Sequence, residues 1–336
     1  NGIKYDMSKT FLIIGSNSFS GSNFIKLILD KGFKVIATSR SNELDKKFLN
    51  YKNSKNLKKL KFYKCDLNKD LNKIKKIINK YKPSIIVNYA AQGMVEQSWD
   101  RPEDWYFTNL YSQTKFYNLL LQYKFIKRII HVSTPEVYGS TKRKIKENYN
   151  FNPTTPYAIS RAAMDFHLIK FFKFRKLPII LTRTANIYGP GQQLYRVIPK
   201  SLYLSRNKKN FPLDGNGNSK RSFIYVDDAS LATFKICMRG KLGQTYHIST
   251  DDIKTIKSVL KIVCKVSGRN FNNFVKKHHE RLGKDYLYHL NSYKLKRELN
   301  WKPKTSLEVG IKKTLEWIDK NLKLFKESEL NYKHKK

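Results

Sequence analysis

Acidic residues, cysteines and long apolar runs are all scarce in this chain, and each shortage removes a class of reading. Asp and Glu number 26 against 67 Lys and Arg, a formal net charge of +41 at neutral pH. Cys65, Cys237 and Cys264 lie far apart and none forms a C-x-x-C pair, so zinc, redox-motif and disulfide-framework readings have no support. No metal site is expected, and so sparse a thiol count fits a reducing, cytoplasmic setting. No apolar stretch approaches the roughly 18–20 residues needed to cross a bilayer, and no cationic start with an apolar core resembles a signal peptide. No membrane partner is therefore expected. Met7 reads as the natural start, with residues 1–6 an addition rather than structure.

The excess of positive charge has two readings. Phosphate neutralisation would make it a nucleic-acid surface. The lysines, however, are spread over the whole length, with no dense block and no nucleic-acid module. They read as solvated helix faces in a Lys/Asn/Ile-rich composition, with no specific nucleic-acid partner. The same field would speed capture of a dianionic substrate.

Hydrophobic residues make up 40% of 336, enough for one large α/β unit or two domains sharing a cleft. Short apolar runs alternate with helical periodicity in the first half. Strands are expected at 10–14, 34–38, 60–64, 84–88, 127–132 and 178–182, and helices at 22–29, 70–81, 103–123 and 156–174. Nearly continuous apolar strands separated by helices predict an α/β fold: a Rossmann-type, doubly wound parallel sheet. The rhythm breaks after Tyr188-Gly189-Pro190-Gly191, and turn signals cluster over 214–218. The expected organisation is a dinucleotide-binding domain over 7–189, with segments near 224–250 returning to it. A smaller mixed α+β substrate lobe follows over 190–319, then a frayed basic tail over 320–336. The site is expected in the cleft between the lobes.

The first strand runs into Gly15-Ser16-Asn17-Ser18-Phe19-Ser20-Gly21. A dinucleotide pyrophosphate needs backbone N–H groups at a helix N-terminus with no side chain in the way. Gly15 and Gly21 have the separation of the first and third glycines of such a turn, and Ser18 stands where the middle one would be. Ser18, Phe19 and Ser20 are thus candidate cofactor contacts. At the end of the second strand, Thr38-Ser39-Arg40-Ser41 offers two hydroxyls and an arginine but no carboxylate, which leans towards NADP over NAD. Asp66 and Leu67 are placed to meet adenine. Ala90 and Ala91 give the backbone room beside the cofactor.

A second constellation is Ser133-Thr134-Pro135-Glu136-Val137-Tyr138-Gly139, followed by Tyr157-Ala-Ile-Ser-Arg161. It offers a hydroxyl, a carboxylate and a phenol to one substrate. Tyr157 and Arg161 are four apart and share a helix face. A cation beside a phenol favours phenolate, a usable base near neutral pH.

Together these segments resemble an extended short-chain dehydrogenase/reductase of the nucleotide-sugar epimerase/dehydratase family. The likeness runs from Thr10 to Trp317 and includes Asn88-Tyr-Ala-Ala-Gln92, Arg183-Thr-Ala-Asn186-Ile-Tyr-Gly189 and Arg221-Ser-Phe-Ile-Tyr-Val-Asp227. Ser-Thr-x-Glu-Val-Tyr-Gly is similar to the 4,6-dehydratases of dTDP-glucose and GDP-mannose type, and Glu136 separates them from the 4-epimerases, which typically lack it. The resemblance implies that Tyr157 takes the proton of the sugar 4-hydroxyl, Thr134 holds that oxygen and Glu136 removes the C5 proton. It implies an NAD(P) cofactor, a nucleotide-diphosphate hexose substrate and a homodimer. It places Gln92, Asn109, Tyr157 and Arg161 near the cofactor, and Gln92, Thr134, Asn186, Arg196 and Arg221 near the substrate. Two departures stand out. Pro135 occupies the place of an acid in the dTDP-glucose enzymes, and Arg161 that of the family lysine. The same-family alternative is a 4-epimerase or 4-keto reductase; the different-class alternative is a non-enzymatic NAD(P)- or polyanion-binding protein.

Overall fold

The computed structural model describes residues 5–141, 143–278 and 286–334. Its strands are β1 (Thr10–Ile14), β2 (Lys34–Ser39), β3 (Leu60–Lys64), β4 (Ile85–Asn88), β5 (Arg128–Ser133) and β6 (Ile179–Thr184). β7 (Asn186–Tyr188), β8 (Phe211–Asp214), β9 (Lys220–Tyr225), β10 (Thr245–Ile248), β11 (Ile253–Thr255) and β12 (Val275–His278) follow. Seven of them form one sheet in the order β10-β6-β5-β4-β1-β2-β3, with every pairing parallel. The reason lies in the strands themselves. In β1, Phe11 and Ile13 enter the core on one face while Leu12 and Ile14 enter it on the other. Such a strand has no side to show to water, so helices must cover both faces. The chain order reverses around β1, which has β2 on one side and β4 on the other. The crevice beyond the carboxyl ends at such a switch point is where doubly wound sheets take their ligands.

Three local features set the site. The helix Phe19–Asp30 begins earlier than its periodicity suggests because Ser18 caps it, accepting from the Gly21 N–H at 3.1 Å and donating to the Gly15 carbonyl at 2.7 Å. The expected long helix over 103–123 is interrupted. Pro102–Tyr106 and Gln113–Leu120 are α-helical, but Phe107–Ser112 between them is a π-helical turn. The helix Pro156–Arg175 starts sharply because Thr155 accepts from the Ala158 N–H at 3.2 Å and Pro156 sits in its first turn.

The second lobe packs β7, β9 and β11 into a small sheet and β8 with β12 into a pair. Its core holds Leu202, Phe211, Phe223, Leu260 and Ile311. Among the described residues, no helix is long and apolar enough to cross a membrane.

Both chain ends depart from expectation. Tyr5, in the stretch read as an addition, packs edge-on against Phe234 with ring centroids 5.0 Å apart. The segment beyond residue 320, expected to fray, packs through residue 334. Short 3-10 turns form at Leu322–Leu324 and Glu327–Leu330. Phe325 is 8% exposed and lies against Phe48, Trp317 and Tyr203. The buried Lys47 ammonium donates to the Leu324 carbonyl at 3.1 Å and pairs with Glu329 at 3.1 Å. Phe325 is the buried aromatic of this Lys/Glu-rich stretch, and Leu322 and Leu330 pack beside it on the same core. Phe325→Ala should therefore lower the unfolding free energy by about 3 kcal/mol, the usual cost of emptying a buried aromatic site. Urea denaturation checks this, and a change within roughly 0.5 kcal/mol, typical of surface positions, would mean that the segment does not pack.

Candidate active site

The glycine turn is built by close backbone approach. The Gly15 and Ser16 N–H groups donate to the Thr38 carbonyl at 2.9 and 3.0 Å, tying the turn to the end of β2. Gly15 has φ +84°, and a Cβ there would lie 2.7 Å from the Ala90 nitrogen. A Cβ at Gly21 would lie 2.7 Å from the Gly15 carbonyl oxygen. No other residue fits either place without displacing backbone. The helix that follows has no acidic residue in its first turn. A cradle walled by backbone at the positive dipole end of a helix fits a pyrophosphate. Ser18 serves as the helix cap, Phe19 is buried and Ser20 half-buried.

Around this turn the other candidates differ in their availability. Ser39 is buried and Arg40 half-buried at the end of β2. Asp66 builds its own turn, accepting from the Asn68 N–H at 2.9 Å, while its N–H donates to Asp70 at 2.8 Å; Leu67 is buried beside it. The Ala90 N–H donates to Asn88 at 3.0 Å, and Ala91 is exposed. Gln92 is buried, and Asn109 holds its N–H at 2.8 Å and its carbonyl at 3.0 Å. Asn109 itself is fully buried and also donates to Ser160 at 3.0 Å. Its amide fastens the loop after β4 to the helix Pro156–Arg175.

The second constellation converges. Thr134 caps the 3-10 turn Pro135–Tyr138, accepting from the Glu136 N–H at 3.3 Å. Pro135 is buried in the first position of that turn, where its fixed φ suits the geometry. The Thr134 hydroxyl is hydrogen-bonded to Tyr157, and the charges of Arg161, Glu136 and Arg196 all reach the phenol. Burial pushes the Tyr157 phenol above its ordinary range; Arg161, the Thr134 bond and Arg196 draw it down, and Glu136 pushes it up. Desolvation of the anion outweighs the adjacent cation, so Arg161 offsets only part of the cost of the phenolate.

Arg161 is 2% exposed. Its Nη2 donates to the Val132 carbonyl and lies 3.3 Å from His131 Nε2. Its Nε and Nη1 have no hydrogen-bond partner among the described residues. Two buried donors without acceptors beside Tyr157 fit the hydroxyls of a ligand's ribose. His131 is held neutral by burial and by the charges of Arg161 and Arg183, which put its pKa well below the usual imidazole range. Its Nδ1 lies 2.6 Å from the Tyr117 hydroxyl.

Sequence reasoning missed what stands behind this cluster. Asp165 is fully buried and accepts from Ser133 at 2.8 Å and from Arg183 at 2.8 and 3.1 Å. Arg183 also donates to the Tyr138 hydroxyl. A signal was present: Tyr157, Arg161 and Asp165 continue one i, i+4 series, so the acid lies on the reactive face of the helix.

The substrate candidates separate. Asn186 is exposed at the start of β7. Arg196 is exposed at the entry of the helix Val197–Arg206, with its guanidinium 5.5 Å from the Tyr195 ring centre, and it joins the Tyr157 cluster. Arg221 stands within the second lobe, 4.6 Å from the Tyr288 ring centre and donating to the Tyr286 carbonyl at 3.2 Å.

The family described as GDP-mannose 4,6 dehydratase matches residues 12–314. The human protein named dTDP-D-glucose 4,6-dehydratase is 28% identical over 335 residues, 98% of this chain and 95% of its own. The dTDP-D-glucose 4,6-dehydratase of Dictyostelium discoideum is 31% identical, over 92% of this chain and 81% of its own. Among solved structures, DesIV, a dTDP-glucose 4,6-dehydratase of Streptomyces venezuelae with NAD and TYD bound, superposes with a TM-score of 0.88 at 25% identity, over 95% of this chain and 99% of that one. A UDP-glucose 4-epimerase of Thermotoga maritima with UDP-glucose gives 0.84 at 25%, over 93% and 99%. On the extent of these matches, the chain belongs to the GDP-mannose 4,6 dehydratase family.

Proposed function

We propose that this protein is a nucleotide-diphosphate-hexose 4,6-dehydratase, acting on dTDP- or UDP-glucose, with GDP-mannose the second choice, and forming a 4-keto-6-deoxy sugar by loss of water. The observation that carries the reading is the convergence of a phenol, a hydroxyl and a carboxylate, Tyr157, Thr134 and Glu136, at the carboxyl edge of the sheet. Epimerisation at C4 needs the first two; the carboxylate adds a base for a second carbon.

The Gly15–Gly21 cradle and the open Arg161 donors would hold NAD(P), whose nicotinamide supplies a hydride acceptor at C4 and a hydride donor at C6. Tyr157 removes the proton of the sugar 4-hydroxyl while Thr134 holds that oxygen. The resulting 4-keto group acidifies C5–H, and Glu136 takes that proton. Pro135 has no proton to give, so Glu136 passes the C5 proton to the departing 6-hydroxyl and water leaves; as C6 takes the hydride, C5 regains a proton from solvent through Glu136. Arg196, beside Tyr157, and Asn186 meet the sugar or its diphosphate, and Arg221 the diphosphate from the second lobe. Ser39 and Arg40, with no carboxylate beside them, support NADP over NAD, although structural relatives carry NAD. All three thiols are free and buried, consistent with a reducing cytoplasm.

A homodimer belongs to the same proposal. Phe107 (46%), Tyr111 (54%), Ile159 (44%) and Phe166 (44%) leave exposed apolar surface on the two helical segments around Phe107–Ser112 and Pro156–Arg175. Pairing these segments across a two-fold axis buries that surface. The second functional reading, a 4-epimerase, is favoured by Pro135 and by the likeness to UDP-glucose 4-epimerase.

Three measurements test these statements. Incubation with dTDP-, UDP- and CDP-glucose and GDP-mannose, with NAD or NADP, should give one product lighter by one water in mass spectrometry. Glu136→Gln should stop that loss while reduced nicotinamide accumulates; a stereoisomer without mass loss would transfer the assignment to the epimerase. Because the base is a phenolate whose pKa lies above the ordinary value, the rate of C4 oxidation should rise with pH. Arg161→Met, which removes a cation, should displace that rise to higher pH, and a superimposable profile would remove Arg161 from the ionisation of Tyr157. Finally, the wild type should sediment as a dimer and the Phe107→Glu/Phe166→Glu variant as a monomer; a monomeric wild type ends the dimer proposal.

A further inference from the structure

The segment following Phe325 takes a path that its composition did not suggest. It leaves the buried anchor at Phe325, beside Lys47 and Phe48 in the connection between β2 and β3. It ends on the helix Pro102–Tyr106, which follows β4. There the His334 Nε2 lies 2.8 Å from an Asp104 carboxylate oxygen, and its ring stacks on Trp105 with centroids 4.9 Å apart and planes 10° apart. Between these anchors Tyr332 packs edge-on against Tyr195 of the second lobe, with ring centroids 5.5 Å apart. Tyr332 is half-buried; burial pushes its phenol up, and the charges of Arg40 and Arg196 both draw it down.

The sheet order fixes what lies beneath this path. β2 and β4 are the two neighbours of β1. Arg40 directly follows β2. Its charge and that of Arg196, which also reaches Tyr157, both act on Tyr332. Between the anchor at Phe325 and the contacts of His334, Tyr332 therefore stands by the carboxyl edge of the sheet, where the Gly15–Gly21 turn lies. The segment's flanks match a dinucleotide lying along the crevice: Arg40 at the β2 end, Arg196 near Tyr157 at the other, and Tyr332 between them.

We propose that residues 326–334 are part of the dinucleotide-binding site, forming its outer wall, with Tyr332 facing the bound NAD(P) and His334 latching the wall to Asp104 and Trp105. The proposal rests on the reading of the crevice as an NAD(P) site. It gives the wall a purpose within that reading: a cofactor that takes a hydride and returns it within one turnover has no need to leave. Two contacts, at Tyr195 and at Asp104 with Trp105, must break before it can.

The test uses the full chain and a Tyr332→Ala/His334→Ala variant, which keeps the Phe325 anchor. Each is loaded with NADH or NADPH, and release is followed by stopped-flow loss of the bound reduced nicotinamide's fluorescence on displacement with excess oxidised cofactor. The variant should release the cofactor about tenfold faster or more, with an unchanged urea midpoint. An unchanged release rate overturns the proposal. Slower release or tighter binding also overturns it, by making the segment a plug. Failure of the intact chain to bind either cofactor would overturn the crevice reading itself, and this inference with it, a result distinguishable from binding with equal release rates.

Discussion

One buried carboxylate organises the reactive end of this molecule. Asp165 has no exposed surface, and it joins three elements at once: the helix that carries Tyr157 and Arg161, Ser133 at the end of β5, and Arg183 on β6. Arg183 continues to the hydroxyl of Tyr138, the last residue of the turn that presents Thr134 and Glu136. The phenol on the helix and the carboxylate on the turn are thus oriented by the same ion pair. Burying two charges costs several kcal/mol each unless attraction and hydrogen bonds offset it. Here Asp165 accepts three hydrogen bonds on one oxygen, and both partners lie wholly inside the protein. An apolar pair of equal volume could hold the helix against the sheet as firmly, but it would fix no direction for what the helix carries.

The neighbouring groups extend this polar layer beneath the reactive surface. His131 sits between Tyr117 and Arg161, kept neutral by burial among cations. A neutral imidazole lets the Arg161 guanidinium approach without adding repulsion. The outcome is a fork with one arm fixed to the β5 backbone, whose Nε and Nη1 have no acceptor among the described residues.

The sheet was legible because its strands have no polar face, so a run such as Thr10–Ile14 has one reasonable fate. The glycine turn and the Tyr157–Arg161 pair were legible because both are local: spacing along the chain already gives spacing in the fold. What escaped is non-local. Arg183 and Asp165 meet only when β6 lies beside β5 and the helix crosses behind. Nothing in the composition of 320–334 distinguishes a docked segment rich in Lys and Glu from a solvated one, since the partners of Phe325 and Tyr332 come from distant parts of the chain. The ionisation of Tyr157 depends on burial, which neighbouring residues in the sequence do not reveal. Asn109 lay at a position marked for ligand contact, yet the π-helical turn carries it inward to the Gln92 backbone.

That turn has a consequence for how the protein can vary. A π-helical step is one residue more than an α-helix requires, and each residue advances an α-helix by about 100°. Removing one residue from Phe107–Ser112 would restore a regular helix and swing everything on one side of the deletion by that angle. Asn109 clamps the loop inside while Phe107 and Tyr111 face outwards. The extra residue therefore acts as a phase adjustment between an interior that must close and an outer face that presents Phe107 and Tyr111. A deletion here would break the register of both faces at once, while a substitution on the outer face leaves the inner clamp in place.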